Sequence, residues 1–430
     1  MPVVTVSGAN GQVFPVTYNT NDAVGAATTL ANAINSVVRS PGVSTQVLTS
    51  AGATTAPGAG LVGQLVVTNS GAPFQVSAGS DRIIVVNGTA PVTVAGTGTS
   101  NVSVLAGSGG LTFNAGSLAN NTNPTGVVVV AGDGNNLIGT ATGAGGSMFV
   151  QTGAGSDSIF GVRGFNTVSA GLGLNFVGTG TANDLIVTEG LDIVVGDTIP
   201  GGGGADTITA LAGGQDFVFG LASNVTFVSA SLLASTLVGG TGSDTVEAGL
   251  GGGLFFAGTG GNSSLVGGSG SVTLVGGGNG DQIFSNANGA TTGSAYLVAG
   301  AGNETISGLG DSRGITAFAG NNQSVNGALL QANTVVFGGS GNDTLYAGTG
   351  NATLVSGGGT DTFGFINGFG GGNDTISGFT AADTIKLTGY SASAALASAS
   401  VSGGNTLITL SDNTRITITG FTSVTSGNFS

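Results

Sequence analysis

The 430-residue chain has no cysteine, no histidine and no tryptophan. Without cysteine there can be no disulfide, thiolate nucleophile or zinc finger. Without histidine there is no imidazole acid–base chemistry, no Ser-His-Asp triad and no HExxH metal site. Charge is scarce too: 6% of residues are Asp, Glu, Lys or Arg, and only six are basic. That argues against nucleic acid and anionic membrane as partners. No run approaches the roughly 18 apolar residues of a membrane helix. The opening MPVVTVSGANGQVF lacks the basic n-region and long apolar stretch of a secretory signal peptide. An export address, if there is one, is expected elsewhere.

What the chain does contain is glycine, 86 residues of it, alongside 40% hydrophobic residues. Disordered Gly-rich polymers are poor in apolar side chains, so many short strands joined by tight turns are expected. The formal charge of −14 is unevenly placed. Residues 1–130 hold two acids (Asp22, Asp81) and two bases (Arg39, Arg82); residues 131–430 hold the other 18 acids against four bases. The later part of the chain is therefore suited to cations.

Residues 1–20 read as one or two strands, VVTV and VFPVTY. A helix is expected over 21–40. Asn21 or Asp22 is its cap, Val24, Ala27, Leu30, Ala31, Ile34, Val37 and Val38 recur at helical spacing, and Pro41-Gly42 ends it. Its expected role is a lid over the open end of a sheet stack, with a docking surface as the alternative. Residues 43–60 read as a loop, and 61–130 as short apolar strands between Gly/Asn/Thr turns at a spacing of about 8 to 12 residues, which alone fits a sandwich or a solenoid.

From residue 143 the sequence falls into nines: GAGGSMFVQ, TGAGSDSIF, GVRGFNTVS, AGLGLNFVG, TGTANDLIV. A second block runs GGTGSDTVE, AGLGGGLFF, AGTGGNSSL, one extra residue (Val266), then GGSGSVTLV and GGGNGDQIF; a third runs GGSGNDTLY, AGTGNATLV, SGGGTDTFG. The pattern GGxGxDxUx, with U a large apolar residue, resembles the nonapeptide of the RTX, or haemolysin-type, calcium-binding repeats. The resemblance covers roughly residues 131–378. The tail, NDTISGFTAADTIKLTGY and NTLITLSDNTRITITGF, resembles the end region of type I secreted RTX proteins, whose uncleaved C-terminus carries the export signal.

The resemblance implies an all-β fold, a parallel β-roll or β-solenoid with two nonapeptides per coil; the strands and helix read over residues 1–40 precede it as a small N-terminal β region with one helix. The expected segments are 1–60, a cap or assembly region; 61–130, a calcium-poor β-rich segment expected to be solenoid; the roll at 131–378; and a C-terminal β cap with secretion signal at 379–430. Residues eighteen apart then share an edge, with Asp343 and Asp361 on one and Ala352 on the other. In the second block Asp244, Asn262 and Asp281 share one edge, leaving Gly253 and Val272 on a blank one. Carboxylates stacked about 5 Å apart repel by on the order of 3 kcal/mol at an effective dielectric near 20. Ca²⁺, which takes six to eight oxygens, suits the gap. The alternative is a turn Asx bonding its own backbone; Asn166, Asn175 and Asn262 would make a neutral, ion-free ladder. The family's calcium role carries to Asp157, Asp206, Asp216, Asp244, Asp281, Asp343, Asp361 and Asp374. Glu304 holds the Asp place with a longer side chain, while Asp311, Asp383 and Asp412 fall outside the match.

The expected function is an extracellular, calcium-stabilised structural protein. It would assemble with copies of itself into a surface layer, filament or biofilm-matrix scaffold, with cell-surface polysaccharide as a further candidate partner. The alternatives are an RTX adhesin or ice-binding module, and a polysaccharide-modifying enzyme. No enzyme activity is expected, because almost every Asp sits in a repeat turn and the six bases form no cluster.

Overall fold

The computed structural model describes all residues except 80, 96–100, 116–125, 140–146, 162–163, 197–203, 212–214, 222–223, 286–292, 301–303, 309–314, 319–323, 327–333 and 340. Asp311 lies outside the described residues. The fold is nearly all β, with short parallel strands stacked coil upon coil. It divides into two compact units, Met1–Ser223 and Asn224–Ser430.

An inward apolar residue from each nonapeptide runs down the middle of each core. In Met1–Ser223 the inward line of the first sheet runs Leu65, Ile84, Val104, Val129, Val150, Val168, Ile186, Ile208, each in register with the next. The second sheet faces it with Val76, Val94, Phe113, Ile138, Ile159, Val177, Val194, Val218. In Asn224–Ser430 the second sheet runs Leu237, Phe255, Leu274, Leu297, Ala317, Val336, Leu354, Ile376. All of these are buried. The strands are three to six residues long in the repeats, and many bury a second inward residue two places earlier, as Met148 does beside Val150 and Val272 beside Leu274.

Glycine is needed where turns stack. A Cβ on Gly277 would come within 1.4 Å of the Gly258 carbonyl oxygen of the preceding coil. Gly280, one place before Asp281, holds φ +88, which L side chains rarely adopt.

The N-terminal strands β1 (Val3–Ser7) and β2 (Val13–Thr17) form an antiparallel hairpin. The helix α1 (Val24–Val38) follows. Its N-cap is Ala23, with no side-chain cap bond, so neither Asn21 nor Asp22 plays the expected part. The expected lid over the open end is not what forms. Val6, Val16 and Tyr18 of the hairpin, with Ala27, Ala31 and Ile34 of α1, bury against Val66, Val85, Leu105 and Val130. Those four make the outward line of the first sheet; two coils on, the same line presents Gln151 and Ser169. Helix and hairpin therefore cover a flank whose outward residues are apolar. The solenoid also begins inside the segment expected to be loop: β3 (Val43–Leu48) pairs in parallel with Val62–Asn69.

Asp133 fastens this segment down. Its carboxylate accepts from Asn19 N (2.6 Å), Thr20 N (2.8 Å), Ala154 N (3.0 Å), Ser108 Oγ (3.2 Å) and the Thr20 hydroxyl. Burial would push this carboxyl up, but the bonds from Thr20, Ala154 and Asn19 hold it below the usual range. Asp133→Ala is expected to cost about 2–3 kcal/mol and to free residues 1–40 first. Limited proteolysis should show cleavage there while the coils resist; unchanged cleavage would assign the anchoring to the apolar contacts alone.

At the other end, Arg415–Thr419 adds in parallel to Asn373–Ser377. Asn405–Thr409 and Ser400–Ser402 then follow antiparallel. The short helix α2 (Ala392–Ser398) is capped by Ser391, which accepts from Ala394 N.

Candidate metal centre

The sixth place of each nine opens a strand, and its side chain stitches neighbouring coils. Its Oδ1 accepts the main-chain N–H of the equivalent place one coil earlier. On the first-sheet edge this joins Asn166 N to Asp184 (2.7 Å) and Asp184 N to Asp206 (3.0 Å) in Met1–Ser223. In Asn224–Ser430 it joins Val225 N to Asp244 (3.0 Å), Ser263 N to Asp281 (2.8 Å), Asp343 N to Asp361 (2.9 Å) and Asp361 N to Asp383 (2.8 Å). On the second-sheet edge it joins Leu111, Asn136, Asp157, Asn175 and Asp192 in succession. Further on, Ala352 N donates to Asp374.

The eight carried-over residues thus lie on two edges. Asp206, Asp244, Asp281, Asp343 and Asp361 belong to the first-sheet edge, and Asp157, Asp216 and Asp374 to the second. All eight are buried. Asp343 and Asp361 share an edge and Ala352 the other, as the eighteen-residue spacing requires. Asn262 does not join Asp244 and Asp281. Ser263 takes that place, accepting from Asp244 N through Oγ at 3.0 Å, while Asn262 turns outward at φ 61. The extra residue of this block therefore sits in the turn, where an Asx at positive φ absorbs it, and not after the strand at Val266. The blank edge is real from Gly253 to Ala352, with Gly253, Val272, Ala295, Ile315, Thr334 and Ala352 in register. In Met1–Ser223 both edges carry Asx.

Three carboxylates outside the carried-over set belong to the ladders: Asp184, at the sixth place of TGTANDLIV, Asp192 and Asp383. Asp383 falls outside the nonapeptide match but accepts from Asp361 N at 2.8 Å. Fifth-place asparagines form a second, outer ladder running the opposite way. Asn135, Asn183, Asn342 and Asn351 accept from Ser156, Ala205, Thr360 and Asn373 N–H of the following coil.

Burial raises most ladder carboxyls. Asp184, Asp216 and Asp374 are pushed up to about 7 and Asp192 and Asp244 to about 6. Neighbouring acids add to this: Asp206 on Asp184, Asp192 on Asp216, Asp281 on Asp244. Glu304 also sits in its rung, pushed to about 7 by burial and then by Asp281.

The donor set fits a hard cation. Among the described residues the Oδ2 atoms of Asp244 and Asp374 are buried and meet no hydrogen-bond donor, and turn backbone crowds the first so closely that a Cβ on Gly239 would lie 2.0 Å from it. Oxygen is the only ligand type the ladders offer, which suits Ca²⁺. At Asp281 and Asp343 the second oxygen accepts from Gly277 N and Gly339 N, both at 2.8 Å. Among the described residues no three acidic side chains converge on one point. An ion here would draw on one or two carboxylates from stacked rungs and on turn carbonyls.

A parallel two-sheet β-roll whose edges are ladders of buried carboxylates is, as a class, a cation-binding repeat solenoid. The family model described as RTX calcium-binding nonapeptide repeat (4 copies) matches residues 151–186, 196–226, 234–252, 257–288, 331–363 and 370–387. The chain carries RTX repeats, which are calcium-binding motifs, so Ca²⁺ is the cofactor they imply and a secreted calcium-binding repeat protein is the class they mark. No curated protein matches the chain.

Proposed function

We propose that this is an extracellular structural protein that calcium stabilises and that assembles with its own copies into a surface layer, filament or biofilm-matrix scaffold. The observation that supports self-assembly is the outer face of the second sheet in Asn224–Ser430. There Val238, Phe256, Val275, Val298, Phe318, Phe337 and Val355 stand in one unbroken line of register. The Phe318 and Phe337 rings stack at 5.0 Å and 7°, and Phe318 remains 40% exposed. Seven rungs at about 4.8 Å make a stripe roughly 30 Å long, which a second sheet can cover at about 10 Å. The strands of this face carry no charge, so two copies of an acidic protein can meet across it without like-charge contact. Exposed apolar faces of this extent mark interaction sites.

The acids are occupied in stitching coils, which supports a structural role over an enzymatic one. Export by an uncleaved C-terminal signal goes with this reading. Phe318→Asp combined with Phe337→Asp is expected to leave the melting temperature within a few degrees, since both side chains point outward. It should hold the 40.7 kDa chain monomeric in calcium, where the wild type is expected to form larger particles by light scattering. Wild-type particles that persist unchanged in the variant would remove this face from the assembly.

A further inference from the structure

The ladders of the two units differ in one residue type. Among the described rungs of Met1–Ser223 three are asparagine: Asn136, Asn166 and Asn175. Among the described rungs of Asn224–Ser430, none is; they are Asp244, Ser263, Asp281, Glu304, Asp343, Asp361, Asp374 and Asp383, with apolar or small residues on the blank edge.

Each asparagine keeps the stitch between coils, its Oδ1 accepting from Leu111 N (3.0 Å), Met148 N (3.2 Å) or Asp157 N (3.0 Å). Its amide nitrogen then lies where an aspartate would present its second oxygen. Asn136 Nδ2 donates to Gly132 O (3.0 Å) and Gly134 O (2.6 Å) of its own turn and to Asp157 Oδ1 (2.9 Å) of the next coil. Asn175 Nδ2 donates to Gly171 O (2.7 Å) and Asp192 Oδ1 (2.7 Å). Asn166 Nδ2 donates to Gly164 O (3.0 Å) and Asp184 Oδ1 (2.9 Å). Three times over, an electropositive N–H group sits between turn carbonyls and the carboxylate of the following coil. Those are the donor types a calcium ion takes, and a bond from an amide to a carboxylate is charge-assisted.

We propose that these amides are built-in replacements for the cation. The coils from Gly132 to Asp192 close without an ion, whereas the carboxylate neighbours of Asn224–Ser430 need one. The same edge shows where the substitution stops. Asp157 is flanked by Asn136 and Asn175, but Asp192 is followed in register by Asp216, and Asp184 is followed by Asp206. Ion demand in the first unit begins at those two pairs. The protein thereby holds a pre-wound segment at low calcium and a second segment that winds as calcium rises. This rests on the calcium reading of the Asp rungs.

Hydrogen exchange of the full chain, calcium-depleted and calcium-loaded, tests it. Strands Ser158–Phe160, Thr167–Ala170 and Leu174–Gly178 are expected to stay protected without calcium, while Gln282–Phe284, Thr344–Tyr346 and Thr362–Ile366 lose protection. Asn175→Asp should speed exchange of Leu174–Gly178 about tenfold in calcium-free buffer and restore it in calcium, with added calcium uptake by titration calorimetry. Asp361→Asn should do the reverse, giving Thr362–Ile366 protection that no longer needs calcium. Loss of protection in 158–178 together with the second unit on depletion, or an Asp361→Asn protein as calcium-dependent as wild type, overturns the proposal. Failure of the calcium reading itself looks different: no segment of either unit responds to the ion.

Discussion

Calcium depletion is expected to lower the melting temperature of Asn224–Ser430 by roughly 15–30 °C. Among the described residues three pairs of neighbouring carboxylates stand on its first-sheet edge. Asp343 and Asp361 are joined through an N–H to Oδ1 bond of 2.9 Å and Asp361 and Asp383 through one of 2.8 Å. Asp281 and Glu304 precede paired strands in register. Each pair brings like charge together, and Asp343 and Asp383 both raise the Asp361 carboxyl after burial has done so. An ion at about 100 times its dissociation constant stabilises by about 2.7 kcal/mol, so three contribute roughly 8 kcal/mol. For a unit of about 200 residues, 1 kcal/mol moves the melt by about 2–4 °C. The core cannot offset such a loss, because each nine buries only one or two apolar side chains while its glycines surrender much backbone entropy. Differential scanning calorimetry with and without calcium decides the matter. A second unit that melts at the same temperature in both would show that the ladder bonds alone hold the coils.

Much of this architecture can be read from the repeat itself. The eighth-place residues Val150, Ile159, Val168, Val177 and Ile186 alternate between two sheets because two nines close one coil, and their apolar character alone locates the core. The spacing of Asp343 and Asp361 locates an edge for the same reason. Legibility fails where turn length varies. Asp383 lies 22 residues beyond Asp361, and Asp192 lies 17 beyond Asn175, so a strict count of nine walks past both, although the strand register still pairs them. The same count assigns Asn262 to a rung that Ser263 fills, since an inserted residue can be absorbed anywhere in a turn.

The helix shows a second limit. Periodicity reveals that α1 has an apolar side but not what it covers. The cue was in the strands: Val66, Val85, Leu105 and Val130 are apolar at outward places where Gln151 and Ser169 later stand. The segment at 43–48 hid its strand because VSTQVL is half polar and follows a Pro-Gly break. Asp133 gave no signal at all; its five bonds depend on residues brought from more than a hundred positions away in three cases.

In calcium-depleted buffer the protein is expected to melt at a higher temperature at pH 5 than at pH 7.5, with the order reversed in calcium. Burial raises the carboxyls of Asp184, Asp216, Asp374 and Glu304 to about 7, and those of Asp192 and Asp244 to about 6. Unfolded carboxylic acids titrate near 4, so the folded state holds protons that the unfolded state releases. The stability these groups contribute is full below about pH 4 and is lost as pH rises through 6 to 7. One carboxyl raised by two units is worth roughly 3 kcal/mol, or about 6–12 °C in a unit of this size. Calcium reverses the slope because it binds the ionised form and protons compete with it. At neutral pH the ion takes over the neutralising part that the proton plays in acid. Melting curves at pH 5, 6 and 7.5, run in both buffers, check the two slopes together. Parallel slopes would mean that the buried carboxylates titrate without reference to calcium, and the ladders would then be hydrogen-bonded stitching and nothing more.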